Sequence, residues 1–283
     1  MLLLTSIPEM QDYSETQRKH GKRVAVVPTM GFLHQGHASL ITIGRQRADT
    51  VITTVFVNPA QFGPAEDFEQ YPRDLDRDMA VARQAGSDVV FHPEPAEMYP
   101  PQYESYVTVE HVSDTLEGAV RPGHFRGVAT VVLKLLHITR PDVAVFGQKD
   151  AQQAFILKKM VRDLNLRIEM VVGPIIREED GLAMSSRNVY LTPDERIRAR
   201  VLFRALRHAE DRLRQGIRAA ETIRSELTEM IHREHPSGID YVAVVDPETF
   251  REVPSVERFP ILVALAVRFG KTRLIDNVMA EQS

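Results

Sequence analysis

The sequence predicts an α/β fold, a mostly parallel, doubly wound sheet followed by a smaller C-terminal α+β domain. Three observations predict it. Short apolar, β-branched runs alternate with helical patterns through residue 175. The runs are not strictly alternating, as expected of strands covered on both faces. After Pro174 the pattern changes. Strands are predicted over 23–28, 51–57, 88–91, 142–146 and 167–172, with helices over about 36–48, 72–85, 126–139 and 150–164 between them. This βαβα order implies parallel pairing. Past the junction, Thr192 as N-cap and Pro193 in the first turn start a long amphipathic helix that runs to about Gly216. A second helix over 219–234, strands over 239–245 and 261–268, and a third strand at 273–278 close the chain. The predicted domains are therefore 1–175 and 176–283.

Composition narrows the function classes. The chain has 283 residues, 43% apolar and 26% charged, enough for a sizeable core. Its 35 Lys and Arg against 39 Asp and Glu give a net charge of −4, which argues against a general nucleic-acid binder. There is no Cys, hence no disulfide and no thiolate zinc site, and a cytoplasmic home is expected. The Met1–Pro8 stretch has an apolar run but no basic residue before it, so no signal peptide is expected. No apolar run is long enough to span a membrane, and no membrane partner is expected.

Ligands of open parallel sheets sit beyond the carboxyl ends of the strands. Three groups of polar residues are predicted there: His34 and His37 after strand 23–28, Asn58 and Gln61 after 51–57, and Gln148, Lys149 and Asp150 after 142–146. His34-Gln35-Gly36-His37 puts two imidazoles on one face of a helix's first turn, where backbone N–H groups and the helix dipole favour an anion. Taken alone, paired histidines are more often surface or core residues. Phe146-Gly147-Gln148-Lys149-Asp150 combines close backbone approach at Gly147 with a compact charge suited to phosphate at Lys149. Asp150 is read either as a helix N-cap or as a neighbour of a metal ion, and the whole segment also fits a solvated helix start. Met184-Ser185-Ser186-Arg187-Asn188 joins small hydroxyls to a guanidinium, a combination that can clamp phosphates or simply form a turn. Arg121-Pro122-Gly123-His124-Phe125-Arg126-Gly127 either lines the pocket or caps the helix that follows, with a structural or dimer-contact role favoured. No P-loop, dinucleotide fingerprint, nucleophile elbow or HExxH motif occurs.

With these residues in view, the chain resembles the AMP-forming pantoate–β-alanine ligases, the pantothenate synthetase family. The likeness rests on Val27–His37, Phe56–Phe62, Tyr71-Pro72-Arg73, Leu116-Glu117-Gly118, Arg121–Val128, Phe146–Asp150 with Gln152-Gln153, Asp180–Asn188 and Arg273–Asn277. These blocks cover nearly the whole chain. In one departure, Gln148 stands where the family usually has Glu, which removes a charge but little volume.

The resemblance implies a Rossmann-type nucleotidyltransferase domain that binds nucleotide and pantoate, a C-terminal lid domain, and a cytoplasmic homodimer. It implies ATP-dependent condensation of (R)-pantoate with β-alanine through pantoyl adenylate, releasing AMP and pyrophosphate, with Mg²⁺ bridging phosphate oxygens. It also carries expected roles. Met30, Gly31, Phe32, Leu33, His34, Gln35, Gly36 and His37 hold the nucleotide, with His37 the better proton donor of the two imidazoles. Gly147, Gln148, Lys149 and Asp150, together with Met184, Ser185, Ser186 and Arg187, surround the triphosphate, and Ile176 gives adenine a backbone contact. Gln61, Gln153 and Asn58 bind pantoate and β-alanine, and Asp78 or Asp150 lies near the metal. A rival adenylyltransferase with a phosphorylated acceptor would need a cationic acceptor pocket, whereas Asn58, Gln61 and Gln153 are neutral amides. A silent nucleotide sensor should have lost His37, Lys149 or Arg187, and all three are present.

Overall fold

The computed structural model describes residues 1–64 and 66–282. It separates into two compact units, Met1–Gln148 with Gln153–Pro174, and Ile175–Ser283 with Lys149–Gln152. The sequence puts residues 149–152 inside the first domain; in the structure they cluster with the C-terminal unit instead.

The first unit runs β1 (Leu2–Leu4), α1 (Ile7–Lys19), β2 (Val24–Thr29), α2 (Gln35–Arg47), β3 (Thr50–Val55), α3 (Leu75–Ala85), β4 (Val89–Phe91), α4 (Pro95–Met98), α5 (Glu117–Val120), α6 (His124–Thr139), β5 (Val143–Gly147), α7 (Ala151–Asp163) and β6 (Glu169–Gly173). Among the described residues, six strands form one sheet in the order β1-β4-β3-β2-β5-β6, and each pair is parallel. The chain winds outward from β2 on one side and returns to start β5 on the other. That reversal makes β2 and β5 neighbours at the topological switch point, where a doubly wound sheet opens a ligand crevice. Val26 pairs with Ala144, and each strand ends three residues later, at Thr29 and Gly147. Val24–Val27 and Thr50–Val55 are buried throughout, which explains their unbroken apolar and β-branched character. Gly44 lets α2 come close to this sheet, since a Cβ there would already touch Ala25, Val51 and Val27 at 3.5–3.7 Å.

The helix expected over 72–85 begins only at Leu75, because Asp74 caps it by accepting the Arg77 N–H. β1 was not anticipated; at three residues it is too short for periodicity to reveal, and it exists by pairing with β4.

In the second unit, α8 (Pro193–Ala199), α9 (Val201–Arg214) and α10 (Ala220–His232) precede β7 (Gly238–Asp246), β8 (Arg251–Glu252), β9 (Ile261–Phe269) and β10 (Thr272–Ala280). The strands form an antiparallel sheet in the order β10-β9-β7-β8. The single helix expected from Thr192 to Gly216 is broken at Arg200. Ala199 and Val201 are both buried, at 0% and 2% exposure. Two residues apart on a regular helix they would face opposite ways, and the tighter turn at Arg200 brings both inward. Leu202, Leu206 and Leu213 of α9 join Ile223, Leu227 and Ile231 of α10 and Val263, Leu265 and Val267 of β9 in one apolar cluster. Among the described residues no helix is long and apolar enough to cross a membrane.

Candidate active site

The turn after β2 is rigid. Gly31 has φ +86°, and a Cβ there would press on Asp78 and Val55 at 2.9 and 3.0 Å. Asp78 accepts the backbone N–H groups of Phe32 at 2.9 Å and Leu33 at 2.6 Å, while Thr29 Oγ1 accepts that of Gly31. Asp78 is 1% exposed. Burial raises its pKa, opposed by those two backbone hydrogen bonds. Each Asp78 oxygen thus accepts one loop backbone N–H, and the residue anchors the turn.

His34 is the N-cap of α2. Its Nδ1 accepts the Gly36 N–H at 3.1 Å, and His37 Nδ1 accepts the His34 N–H at 3.3 Å. A ring nitrogen that accepts cannot carry the proton of a neutral imidazole. As neutral rings both are therefore Nε2–H tautomers. The ring centroids lie 4.1 Å apart, so the two donors form one patch at the positive end of α2.

The amide expected to meet substrate lies nearby. Gln61 donates from Nε2 to Met30 Sδ at 3.0 Å, while its Oε1 accepts from Asn58 Nδ2 at 2.9 Å. Asn58 is 1% exposed. Its Nδ2 also donates to Gly127 O, and its Oδ1 accepts from the Ala60 N–H and the Tyr99 hydroxyl. Those four bonds occupy the usual capacity of an amide side chain. Asn58 thereby orients the Gln61 side chain.

The Arg121–Gly127 segment lies behind this loop. His124 donates from Nδ1 to Gln61 O at 2.8 Å, and its Nε2 accepts from Arg121. Burial, with the Arg121 charge beside it, pushes the His124 imidazole down to about 4. Arg121 in turn forks onto Glu66 at 2.7 and 2.6 Å. A Cβ on Gly127 would lie 2.1 Å from Ala60 O, so only glycine admits this approach. Tyr99 is not visible as a site residue in the sequence, because its partner lies 41 positions away, and the contact of His124 with Gln61 spans 63 positions. On the other side of the switch point Gly147 ends β5, a short 3₁₀ turn covers Gln148–Asp150, and Gln153 stands half-buried in the first turn of α7.

The other site residues belong to the C-terminal unit. Ile176 and Met184 close a hairpin through Met184 N–H to Ile176 O, beside a bridge between Arg177 and Ala183. Gly181, at its tip, has φ +90° and faces Phe203, which a Cβ would meet at 2.3 Å. Ser185 caps the turn Ser186–Tyr190 by accepting the Arg187 N–H. Glu178 holds that turn, accepting from Asn188 Nδ2 at 2.7 Å and from Arg196 at 2.5 Å. Arg177 forks onto Asp276 at 2.6 and 3.0 Å, and Asn277 Nδ2 donates to Lys149 O at 3.0 Å. This last bond explains why residues 149–152 cluster with the C-terminal unit. Lys149 Nζ stands 4.0 Å from Asp150, whose side chain is half-exposed.

A wholly parallel, doubly wound sheet with imidazole donors on a helix N-terminus at its switch point defines a Rossmann-type nucleotide-binding enzyme. A family model described as pantoate-β-alanine ligase matches residues 2–279. The chain is 50% identical to the pantothenate synthetase of Acetivibrio thermocellus, over 99% of this chain and all of that one. Among solved structures, pantothenate synthetase from Thermus thermophilus is 42% identical, with a TM-score of 0.93 and 99% of both chains covered. A pantoate-β-alanine ligase from Francisella tularensis, complexed with β-γ ATP and β-alanine, is 32% identical, with a TM-score of 0.83 over 99% of this chain and 97% of that one. The chain belongs to the pantoate–β-alanine ligase family. It is a ligase that condenses pantoate with β-alanine in an ATP-dependent reaction.

Proposed function

We propose that the condensation runs through a pantoyl adenylate. A carboxylate does not acylate an amine at neutral pH, because its oxygens are poor leaving groups. The carboxylate of (R)-pantoate attacks the α-phosphorus of ATP and pyrophosphate leaves. The amine of β-alanine then attacks the acyl carbon, and AMP leaves. No protein nucleophile is needed; the enzyme must orient reactants and stabilise phosphate charge. The observation that carries this reading is the tautomer of the paired imidazoles, which turns His34 and His37 into adjacent Nε2–H donors at the N-terminus of α2. The ligands of the Francisella protein support ATP and β-alanine as substrates here.

In this reading His37 and His34 donate to phosphate oxygens, and the Met30–His37 turn cradles the nucleotide. Gly147 and Gln148 allow close approach of the phosphates. Lys149 and Ser185–Arg187 balance the charge of departing pyrophosphate, Met184 supports that loop, and Ile176 contributes a backbone contact to adenine. Gln61 and Gln153 bind pantoate, and Gln61 also reaches β-alanine. Among the described residues no group of three or more His, Cys, Asp or Glu could hold a metal. A Mg²⁺ would instead arrive on the phosphates with its own waters, with Asp78 or Asp150 as the carboxylate that would help hold it. When bound, such an ion supplies positive charge to the phosphates. A homodimer in the cytoplasm completes the reading.

Labelled pyrophosphate tests it. With pantoate, ATP and Mg²⁺ but no β-alanine, label passes into ATP. A preparation that makes pantothenate yet shows no exchange overturns the adenylate.

A further inference from the structure

The strand β10 carries Asp276 and Asn277, consecutive polar residues that the condensation described so far does not use. Successive strand residues point to opposite faces. Leu274 and Ala280 lie in the apolar cluster under α9 and α10, and Asp276 shares their face of the strand, paired in register with buried Leu265. A carboxylate there is costly unless it is paired. Arg177 supplies the pair, and also donates to Gly181 O while lying 4.3 Å over the Phe203 ring. Asp276 thereby fixes the base of the hairpin that leads into Ser185–Arg187. Asn277 points the other way. Arg273, Ile275 and Met279 on its face are half-buried, yet Asn277 is 2% exposed. Its amide donates to the carbonyl of Lys149. The backbone also ties the two together, since the Asn277 N–H donates to Asp276 Oδ1 at 2.8 Å.

We propose that Asp276 and Asn277 form a positioning pair, in which Asn277 holds the backbone of Lys149 and Asp276 holds, through Arg177, the hairpin bearing Ser185–Arg187. One dipeptide so sets the spacing of an ammonium and a guanidinium drawn from segments far apart in sequence. Neither residue is a catalytic residue; each acts through another. The pair rests on the reading that Lys149 and Arg187 bind the triphosphate. Misplacing a charge by about 1 Å costs up to about 100-fold in rate, far more than the loss of one amide bond costs in folding.

A double-mutant cycle on pyrophosphate–ATP exchange tests it, with thermal unfolding measured on every variant. Asn277→Ala lowers the exchange rate about tenfold or more in the wild-type background. In the Lys149→Ala background the same substitution changes the rate by less than about twofold, because the group it positions is gone. If Asn277→Ala does not fold, Asn277→Leu keeps about the same volume and removes the donor without adding charge, and the same cycle is run with it. A wild-type exchange rate in the Asn277 variant, or an equal loss in both backgrounds, overturns the positioning role alone. Lys149→Ala at the wild-type rate overturns the phosphate role of Lys149, and the positioning role with it.

Discussion

Two polar regions of this enzyme are built in opposite ways. The His34–His37 turn is local: its capping bonds join residues two and three positions apart, and the sequence between them contains all that the arrangement needs. The Lys149 and Ser185–Arg187 region is assembled at a distance, by bonds that span 99 residues from Arg177 to Asp276 and 128 from Lys149 to Asn277. The first keeps its geometry as long as one helix starts where it does. The second keeps its geometry only while the C-terminal sheet is folded. The groups proposed to meet the triphosphate are thus divided between a preorganised turn and a tertiary construction.

Substitutions separate the two regions. Arg177→Met leaves Asp276 charged and buried, and should cost about 3–5 kcal/mol in denaturant unfolding. A loss below about 1 kcal/mol would show that Asp276 does not depend on its partner. Acid tests the support behind Gln61. The folded His124 titrates near 4 and an unfolded histidine near 6.5, so the unfolded chain takes up the extra proton between those values. The contribution of His124 is intact above about pH 6.5 and is lost as pH falls toward 4, by about 3 kcal/mol. Unfolding curves at pH 7, 5.5 and 4.5 measure the slope, and His124→Gln should flatten it. His37→Ala should lower kcat by about 100-fold or more, equivalent to about 2.7 kcal/mol, while moving the unfolding midpoint little. A near-normal rate removes His37 from the chemistry. Tyr99→Phe is the mildest change; it deletes one hydrogen bond to Asn58 and should cost about 1 kcal/mol, with a modest rise in the KM for pantoate if Gln61 loses its orientation.

The same contrast explains what the sequence reveals. The parallel strands were visible because Val24–Val27 and Val143–Val145 are apolar on both faces, and the paired imidazoles because their spacing matches a helix turn. The sequence marks Asp78 and Asn58 as polar residues near strand ends but does not reveal their backbone partners. Spacing places a polar side chain near a strand end without naming its partners, and here both bond to backbone groups of distant or neighbouring loops. Asp276 left a fainter trace, a carboxylate in the apolar register of a strand. Its meaning depends on an arginine 99 positions earlier, which no local window contains.

The transfer of oxygen tests the account most directly. Pantoate carrying ¹⁸O in both carboxylate oxygens is converted with ATP and β-alanine, and the products are weighed by mass spectrometry. If the carboxylate attacks the α-phosphorus, one ¹⁸O leaves with AMP and pyrophosphate stays unlabelled. Label in pyrophosphate or inorganic phosphate, or AMP without label, would contradict a pantoyl adenylate and the roles given to His34, His37 and Lys149.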